Sequence, residues 1–246
     1  MARSRKARKL RRRTRKQRGG SATHTAVMIE TRRTKSLPLV LRSIFDNLDH
    51  SWNIKLFHGP NNKQWLEALI DKSFAAEKRR ITLKDTGKDR IDIPEYNRMM
   101  MSREILDQIP TETFLVFQTD SILCKGHANL LKEFMRYDYV GAPWAGRDGV
   151  GNGGLSLRRK SVMLKIVDKC PIGEHNEDGY FSGGCDGVVP NKPSFDDAKR
   201  FSIETVYNPE SFGIHKAWEH LPERDTELSA QCPGYAELKQ LYNQED

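Results

Sequence analysis

Three short stretches of the sequence carry residue types that could do chemistry. In "FQTDS", Asp120 lies three residues after the end of the apolar run 114–117; in "NEDGYFS", Glu177 and Asp178 are adjacent; and "GIHKAW" contains His215. A carboxylate and an imidazole are both suitable ligands for Mn²⁺ or Mg²⁺. Carboxylates that are crowded together and buried have raised pKa values and can act as general bases. These stretches therefore indicate metal-assisted or acid–base chemistry.

Each of these residues also has an ordinary structural interpretation. An aspartate in a Thr-Asp-Ser sequence is typical of a helix N-cap, so Asp120 could simply begin a helix. Adjacent acids such as Glu177 and Asp178 are common on solvated turns. A single histidine between apolar neighbours, such as His215, is usually a core residue. The other histidines show no His-x-x-x-His spacing, which disfavours a zinc hydrolase.

A glycine-rich stretch lies between the first and second motifs. Residues 146–154 contain five glycines, which allow a backbone to approach a ligand closely. No G-x-x-x-x-G-K-[ST] pattern is present and no clear strand precedes "GVGNGG", so neither a P-loop nor a dinucleotide fingerprint is supported. A long surface loop is the alternative. Pro143 and Trp144, just before the glycines, suggest a rigid shelf for a planar or sugar ring.

The elements that must position these motifs alternate between strand and helix. Apolar runs predict strands at 25–32, 52–59, 80–87 and 113–118, and 3.6-residue periodicity predicts helices at 36–48, 63–78 and 94–109. A short strand at 155–158 and a further helix follow the glycines. This order predicts an α/β fold with a mostly parallel central sheet and helices on both faces. Ligands bind beyond the carboxyl ends of such strands, which is where Asp120 lies.

The basic character of the chain is concentrated at its amino terminus. Between Arg3 and Arg18 there are eleven Lys or Arg and no acid, which leaves 30 basic and 33 acidic residues elsewhere. We expect a disordered basic tail at 1–22 and a single domain at 23–246. For residues 3–18, three roles stay open: contact with nucleic acid, contact with an anionic membrane surface, or an import or packaging address. The sequence predicts neither a classical signal peptide nor a transmembrane segment.

The four cysteines show no C-x-x-C pair, which disfavours a structural zinc site. Together with the lack of a predicted signal peptide, this pattern suggests free, buried thiols in a reducing compartment. The expected location is therefore the cytoplasm, either the host cytoplasm or a virion if the protein is viral.

Taken in order, the motifs resemble those of the GT-A glycosyltransferases. The segments "FQTDS", "YDYVGAPW", "GNGGLSLR", "NEDGYFS" and "GIHKAW" are similar to those of an uncharacterised glycosyltransferase-like domain family, over about residues 24–220. Their order also resembles that of galactosyltransferase-type enzymes. The basic leader resembles those on proteins of giant DNA viruses. The resemblance implies a GT-A (Rossmann-like) fold and metal-dependent transfer of a sugar, from a nucleotide-sugar donor such as a UDP-sugar, to a glycan or protein acceptor.

The resemblance also implies roles for individual residues. Asp120 and His215 would hold Mn²⁺ or Mg²⁺. Gln118 replaces the first acid of the family's D-x-D motif. Because an amide carries no negative charge, this replacement weakens the implied metal site. Asp178 matches the general base of inverting relatives, and Glu177 would contact the acceptor or orient the site. The residues implied in donor binding are Glu30, Arg32, Gln118, Thr119, Ser121, Trp144, Gly153 and Gly154.

Two other functional classes stay open from the sequence. The first is a catalytically decayed GT-A domain that acts as a nucleic-acid-binding or packaging protein through its basic tail. Gln118 favours this class, whereas the retained Asp120, the Glu177–Asp178 pair and His215 disfavour it. The second is a nucleotidyltransferase on a related sheet, for which "ETRRTKS" at 30–36 is a poor match.

Overall fold

A computed structural model of the chain describes residues 22–146, 149–173 and 175–244. The predicted tail at 1–22 lies outside the described residues, apart from Ala22. The strands are β1 (His24–Ile29), β2 (Trp52–His58), β3 (Ile81–Asp85), β4 (Thr113–Phe117), β5 (Ser121–Leu123), β6 (Tyr139–Val140), β7 (Leu155–Arg159), β8 (Ser202–Ile203) and β9 (Gly213–His215).

Six of these strands form the central sheet, in the order β3-β2-β1-β4-β7-β6. The first four strands are parallel, β7 runs antiparallel to β4, and β6 runs antiparallel to β7. Five of the six strands therefore point the same way, and the prediction of a mostly parallel sheet is confirmed. The other three strands form a small second sheet, in the order β5-β9-β8, which the sequence did not predict.

Ten α-helices are present among the described residues. They are α1 (Leu37–Asn47), α2 (Lys63–Ser73), α3 (Ile93–Met100), α4 (Arg103–Gln108), α5 (Leu131–Phe134), α6 (Lys160–Lys169), α7 (Glu177–Gly183), α8 (Phe195–Ala198), α9 (Asp225–Gln231) and α10 (Tyr235–Tyr242).

Helices cover both faces of the central sheet, as predicted. Successive side chains of β4 alternate between two apolar cores: Leu115 and Phe117 lie in the core that contains α1, α2, α9 and α10. Phe114 and Val116 lie in the core that contains α3, α4, α6 and α7. A strand buried on both faces reads as a continuous apolar run, which is why β4 was visible in the sequence.

The predicted helix 94–109 is instead two helices, α3 and α4. Ser102 has an extended backbone between them, and its hydroxyl donates to the carbonyl of Met99 at 2.7 Å. This side-chain bond competes with helical bonding and interrupts the helix. The helix predicted at 63–78 also ends earlier, at Ser73.

The prediction of free thiols was wrong. Cys124 pairs with Cys232 and Cys170 pairs with Cys185, so no free cysteine occurs among the described residues. The first pair is 108 residues apart in sequence, and only the folded chain brings the end of β5 to the end of α9. Disulfides are typical of oxidising compartments, so the argument for a reducing compartment no longer holds. No helix in the described part of the chain is long and apolar enough to cross a bilayer.

Candidate active site

A cavity of about 910 Å³ opens at the carboxyl ends of β1 and β4. This volume is within the usual range for small-molecule sites. Seven carboxylate side chains and only three Lys or Arg side chains are among the described residues that line it. An anionic ligand would be repelled by such a lining unless a cation accompanied it.

Asp120 lies on the wall of this cavity, in a tight turn between β4 and β5. No helix begins at this point, so the N-cap interpretation does not apply. The backbone carbonyl of Asp120 accepts a hydrogen bond from the N–H of Lys216 at 2.9 Å, and Ser121 pairs with His215 across β5 and β9. The small second sheet therefore places Asp120 beside His215.

His215 lies between two buried carboxylates. Its Nε2 is 3.3 Å from Oδ1 of Asp120, and its Nδ1 is 3.1 Å from Oε1 of Glu204. Glu204 also accepts a hydrogen bond from the side-chain amide of Asn152 at 2.6 Å. The side chains of Asp120, Glu204 and His215 are all at least nine-tenths buried.

Burial and charge act in opposite directions on this group of side chains. Burial alone would lower the pKa of His215, but Asp120 and Glu204 outweigh it and raise the pKa to about 10. Burial would likewise raise the pKa of Asp120, but His215 and Lys216 hold it below its ordinary value. Asp120 is therefore a carboxylate at neutral pH.

Asp120 and His215 fit the ligand set of a small divalent cation. Oδ1 of Asp120 and Nε2 of His215 are both buried, and neither has a hydrogen-bond partner among the described residues. Their 3.3 Å separation is close to the roughly 3 Å expected between neighbouring ligands of an octahedral ion with bonds of about 2.1 Å. No group of three or more His, Cys, Asp or Glu in the described residues is arranged to hold a metal, so other ligands would have to come from substrate and water.

Glu177 is neutralised by a residue that the sequence did not indicate. Arg158, on β7, donates to both carboxylate oxygens of Glu177, at 2.6 and 3.0 Å. The guanidinium lies 5.0 Å from the ring centre of Tyr139 and 5.4 Å from that of Phe181. This ion pair is buried, and of the two roles expected for Glu177 it favours orientation of the site over contact with an acceptor.

Asp178 is the less constrained of the two adjacent acids. Its Oδ1 accepts a hydrogen bond from the N–H of Gly179 at 2.6 Å, and no Lys or Arg of the described chain forms an ion pair with it. Burial, followed by the charge of Glu177, raises the pKa of Asp178 above its ordinary value. A half-buried carboxylate with a raised pKa on a cavity wall is suited to accept a proton.

The start of α7 is fixed by a contact from α3. The side-chain amide of Asn97 donates to Asn176 at 3.0 Å, and its oxygen accepts from the N–H of Glu177 at 3.3 Å. Because Asp178 is the next residue, these bonds also hold its position at the cavity wall.

The expected donor-binding residues at the ends of β1 and β4 line the cavity. Glu30 accepts hydrogen bonds from the backbone and guanidinium of Arg32, at 2.8 to 3.0 Å. Gln118 and Thr119 also line the cavity, directly before Asp120 in the chain.

Two expected donor-binding residues do not line the cavity. The hydroxyl of Ser121 is bonded to its own turn, because it donates to the carbonyl of Gln118 at 2.8 Å and accepts from the same residue's N–H at 3.1 Å. Trp144 lies against the backbone of Gly149 and Gly151 within its own loop, so it does not offer a shelf to a ligand here. Both donor-binding assignments stay predictions that the cavity lining does not support.

The predicted Gly-Gly segment forms part of the cavity wall, and its glycines are required by close contacts. A Cβ at Gly154 would overlap the imidazole of His215, and a Cβ at Gly153 would overlap the carboxylate of Glu177. The absence of side chains therefore lets this segment pass directly beside both motifs.

Sequence reasoning assigned no role to several residues of this site. Glu204 belongs to no recognised motif, and Asn152 and Lys216 were quoted only as parts of "GNGGLSLR" and "GIHKAW". Lys216 has φ 45° and ψ 28°, a left-handed conformation that is costly for a residue with a Cβ. The clearest missed signal is Arg158, because a charge on a strand buried on both faces requires a buried partner.

Comparisons with known proteins bear on the fold. The sequence profile of a family described as "Protein of unknown function (DUF5672)" matches residues 81–215. No curated protein matches the chain.

The solved structures that are similar to the chain include two glycosyltransferases. One is the mannosyltransferase PcManGT from Pyrobaculum calidifontis, in complex with GDP-Man and Mn²⁺, with a TM-score of 0.52 and 11% identity over 71% of this chain. The other is the apo-form glycosyltransferase GlyE of Streptococcus pneumoniae TIGR4, with a TM-score of 0.51 and 12% identity over 78% of this chain. The matched region spans only 55% and 54% of those two chains. The expected GT-A fold is confirmed.

Proposed function

The chain belongs to the DUF5672 family, and we propose that it is a metal-dependent glycosyltransferase that moves a sugar from a nucleoside-diphosphate sugar to an acceptor hydroxyl. One observation carries this proposal. Oδ1 of Asp120 and Nε2 of His215, which lie 3.3 Å apart and have no hydrogen-bond partner among the described residues, line the same cavity as Asp178, a carboxylate with a raised pKa. Candidate ligands for a cation at the leaving group and a candidate base for the nucleophile thus line one cavity.

The donor would bind along the carboxyl ends of β1 and β4. When bound at Asp120 and His215, Mn²⁺ or Mg²⁺ would neutralise the charge that develops on the diphosphate leaving group. Lys216 and Arg90 line the same cavity and would add positive charge near the phosphates. Glu30 would accept from the ribose hydroxyls, with Arg32 holding its carboxylate in place.

The acceptor would approach from the side of Asp178. As the acceptor oxygen attacks the anomeric carbon, Asp178 would take its proton. The Arg158–Glu177 ion pair would keep the first turn of α7 fixed while this happens. Gly153 and Gly154 would let the donor sugar lie close to both motifs. A single base without a separate nucleophile favours inversion at the anomeric carbon.

The comparisons add a second candidate for the nucleotide of the donor. The resemblance of the sequence implies a UDP-sugar, whereas the PcManGT structure contains GDP-Man and Mn²⁺. We retain UDP as the expected nucleotide. UDP-sugars and GDP-sugars are therefore both tested in the first binding experiment.

A thermal-shift screen of the full chain with UDP-, GDP- and CMP-sugars, each with and without Mn²⁺, tests donor binding. A bound donor raises the melting temperature by mass action. We expect a shift that requires Mn²⁺ and that Asp120→Asn abolishes. The absence of a shift with every donor would contradict the proposal.

Transfer to a panel of glycan and peptide acceptors tests the base. Asp178→Asn should bind the donor normally but lose about 10²- to 10⁴-fold in kcat, the usual contribution of a general base. Asp186→Asn is the matched control, because Asp186 is exposed and lies outside the cavity lining. Undiminished transfer by Asp178→Asn would remove it from this role. Donor binding with no transfer to any acceptor would instead favour the catalytically decayed class.

A further inference from the structure

Glu204 is a buried carboxylate beside the proposed cation site. It follows β8, and because Ile203 pairs with Ile214, Glu204 lies next to His215 in the parallel register of β8 and β9. No Lys or Arg of the described chain forms an ion pair with it. Its hydrogen bonds go instead to the amide of Asn152 and to Nδ1 of His215. Burying a carboxylate in this way is costly, so its contacts have to be favourable.

A cation can bind Nε2 only when that nitrogen carries no proton, and the bond to Glu204 then determines that the remaining ring proton is on Nδ1. An ionised carboxylate can only accept hydrogen bonds, so Nδ1 must be the donor. Nε2 then has a free lone pair. Nε2 of His215 and Oδ1 of Asp120, which lie 3.3 Å apart, are both buried, and neither has a hydrogen-bond partner among the described residues.

The orientation of the ring is restricted as well. Gly154 lies against the imidazole so closely that a Cβ would overlap it. Glu204 holds the opposite nitrogen at 3.1 Å. A carboxylate that orients a metal-binding histidine through its second nitrogen is a recurrent feature of metal sites in proteins.

We propose that Glu204 is the positioning residue of a divalent-cation site, setting the tautomer and direction of His215 so that its Nε2 faces the same point as Asp120. This inference rests on the proposed function, because it requires Asp120 and His215 to bind the cation. The ligand class is a small divalent ion such as Mn²⁺, held together with the oxygens of a nucleoside diphosphate.

A purely structural role for Glu204 makes a different prediction. Glu204 also holds Asn152, whose side-chain oxygen accepts from the N–H of Gly154 at 3.0 Å. If Glu204 served only to fix this loop, its loss would weaken Mn²⁺ binding equally with and without the imidazole of His215. A double-mutant cycle with His215 separates the two roles, because residues that act through one another are not additive.

The test measures Mn²⁺ affinity by electron paramagnetic resonance of the free ion, on the full chain, with UDP or GDP as the added diphosphate. Glu204→Leu should weaken Mn²⁺ binding by about 10- to 100-fold, as is usual for such partners of metal ligands. Glu204→Gln keeps a neutral acceptor for Nδ1 and should lose less. In a His215→Ala background, neither change should have any further effect. Glu210→Gln, at an exposed position, is the control and should bind as the parent does.

Three outcomes would overturn the inference. The first is parental Mn²⁺ affinity in Glu204→Leu, and the second is an equal loss in the His215→Ala background. Should Glu204→Leu not fold, the same cycle is run with Glu204→Gln, where additivity with His215→Ala is the overturning result. The third is that the parent protein binds no Mn²⁺ with either diphosphate, which would overturn the proposed metal dependence as well. The first two outcomes leave the proposed function intact.

Discussion

Replacing Arg158 with Met should greatly destabilise the fold and disturb Asp178. The Arg158 side chain has no solvent exposure, and the Glu177 side chain is 4% exposed. Both carboxylate oxygens of Glu177 bond to this guanidinium, and the rings of Tyr139 and Phe181 enclose it. Removal of the guanidinium would leave a buried carboxylate without a counter-charge.

Breaking one side of such a buried pair typically costs 3–5 kcal/mol, because the remaining charge stays desolvated. For a chain of this size, that loss corresponds to a fall of roughly 6–20 °C in the melting temperature. Urea unfolding under non-reducing conditions measures the free energy directly, and an unchanged m-value would show that the unfolding transition is comparable. Arg200→Met is the matched control. Arg200 also donates to both oxygens of a carboxylate, that of Glu133, but this pair is partly exposed and should contribute about 1 kcal/mol or less.

The double variant Arg158→Met/Glu177→Leu should recover most of the loss, since apolar replacement of a buried ion pair is often neutral. Arg158→Met should also have an effect on activity that is measured independently of stability. The charge of Arg158 lowers the pKa of Asp178, so Arg158→Met should move the acid limb of the pH–rate profile to higher pH. An Arg158→Met protein with the parental urea midpoint would refute this reasoning. So would a double variant that loses as much as the two single variants together.

Four further predictions concern Asp178, Gly154 and the Cys170–Cys185 disulfide. Because Asp178 must be ionised to accept a proton, and burial followed by Glu177 raises its pKa, kcat/KM should fall as the pH drops through that raised pKa. Its raised pKa also means that Asp178 stabilises the fold below its unfolded pKa and loses this contribution as pH rises through the folded pKa. Asp178→Asn should therefore melt higher than the parent at neutral pH, and an unchanged melting temperature would contradict this. Gly154→Ala should lose Mn²⁺ binding in resonance titrations, because its methyl group would displace His215, whereas Gly179→Ala, with nothing near its added Cβ, should bind normally. Removing the Cys170–Cys185 disulfide by double serine substitution should lower the free energy of unfolding by about 3 kcal/mol, the chain-entropy value for a 15-residue loop, and a parental urea midpoint would exclude this.

Most of the central sheet could be predicted because its signals are local. The strands β1 and β4 are buried on both faces, so each reads as an uninterrupted apolar run with polar residues at its end. The position of Asp120 at a strand end followed from the same run. The chain order of strands and helices then left few sheet arrangements to consider.

The parts that could not be predicted depend on contacts between distant segments. Glu204 lies at the end of a strand of only two residues, and its role becomes visible only when β8 pairs with β9 beside His215. Cys124 and Cys232 carry no spacing signal, because 108 residues separate them. In the small second sheet, β5 likewise pairs with β9, which comes much later in the chain.

The presence of Gln118 was the main argument against a metal site, and the position of Glu204 makes that argument weaker. In the family pattern, two acids at one strand end supply the negative charge, whereas here one of them is an amide. Glu204 brings a second carboxylate to the same place from β8, but it faces His215 rather than Asp120. Its charge would then reach a cation through the polarised imidazole instead of through a direct bond. A site with one direct carboxylate should bind the ion weakly when no diphosphate is present and more tightly when one is. By linkage, the donor should bind more tightly when the ion is present.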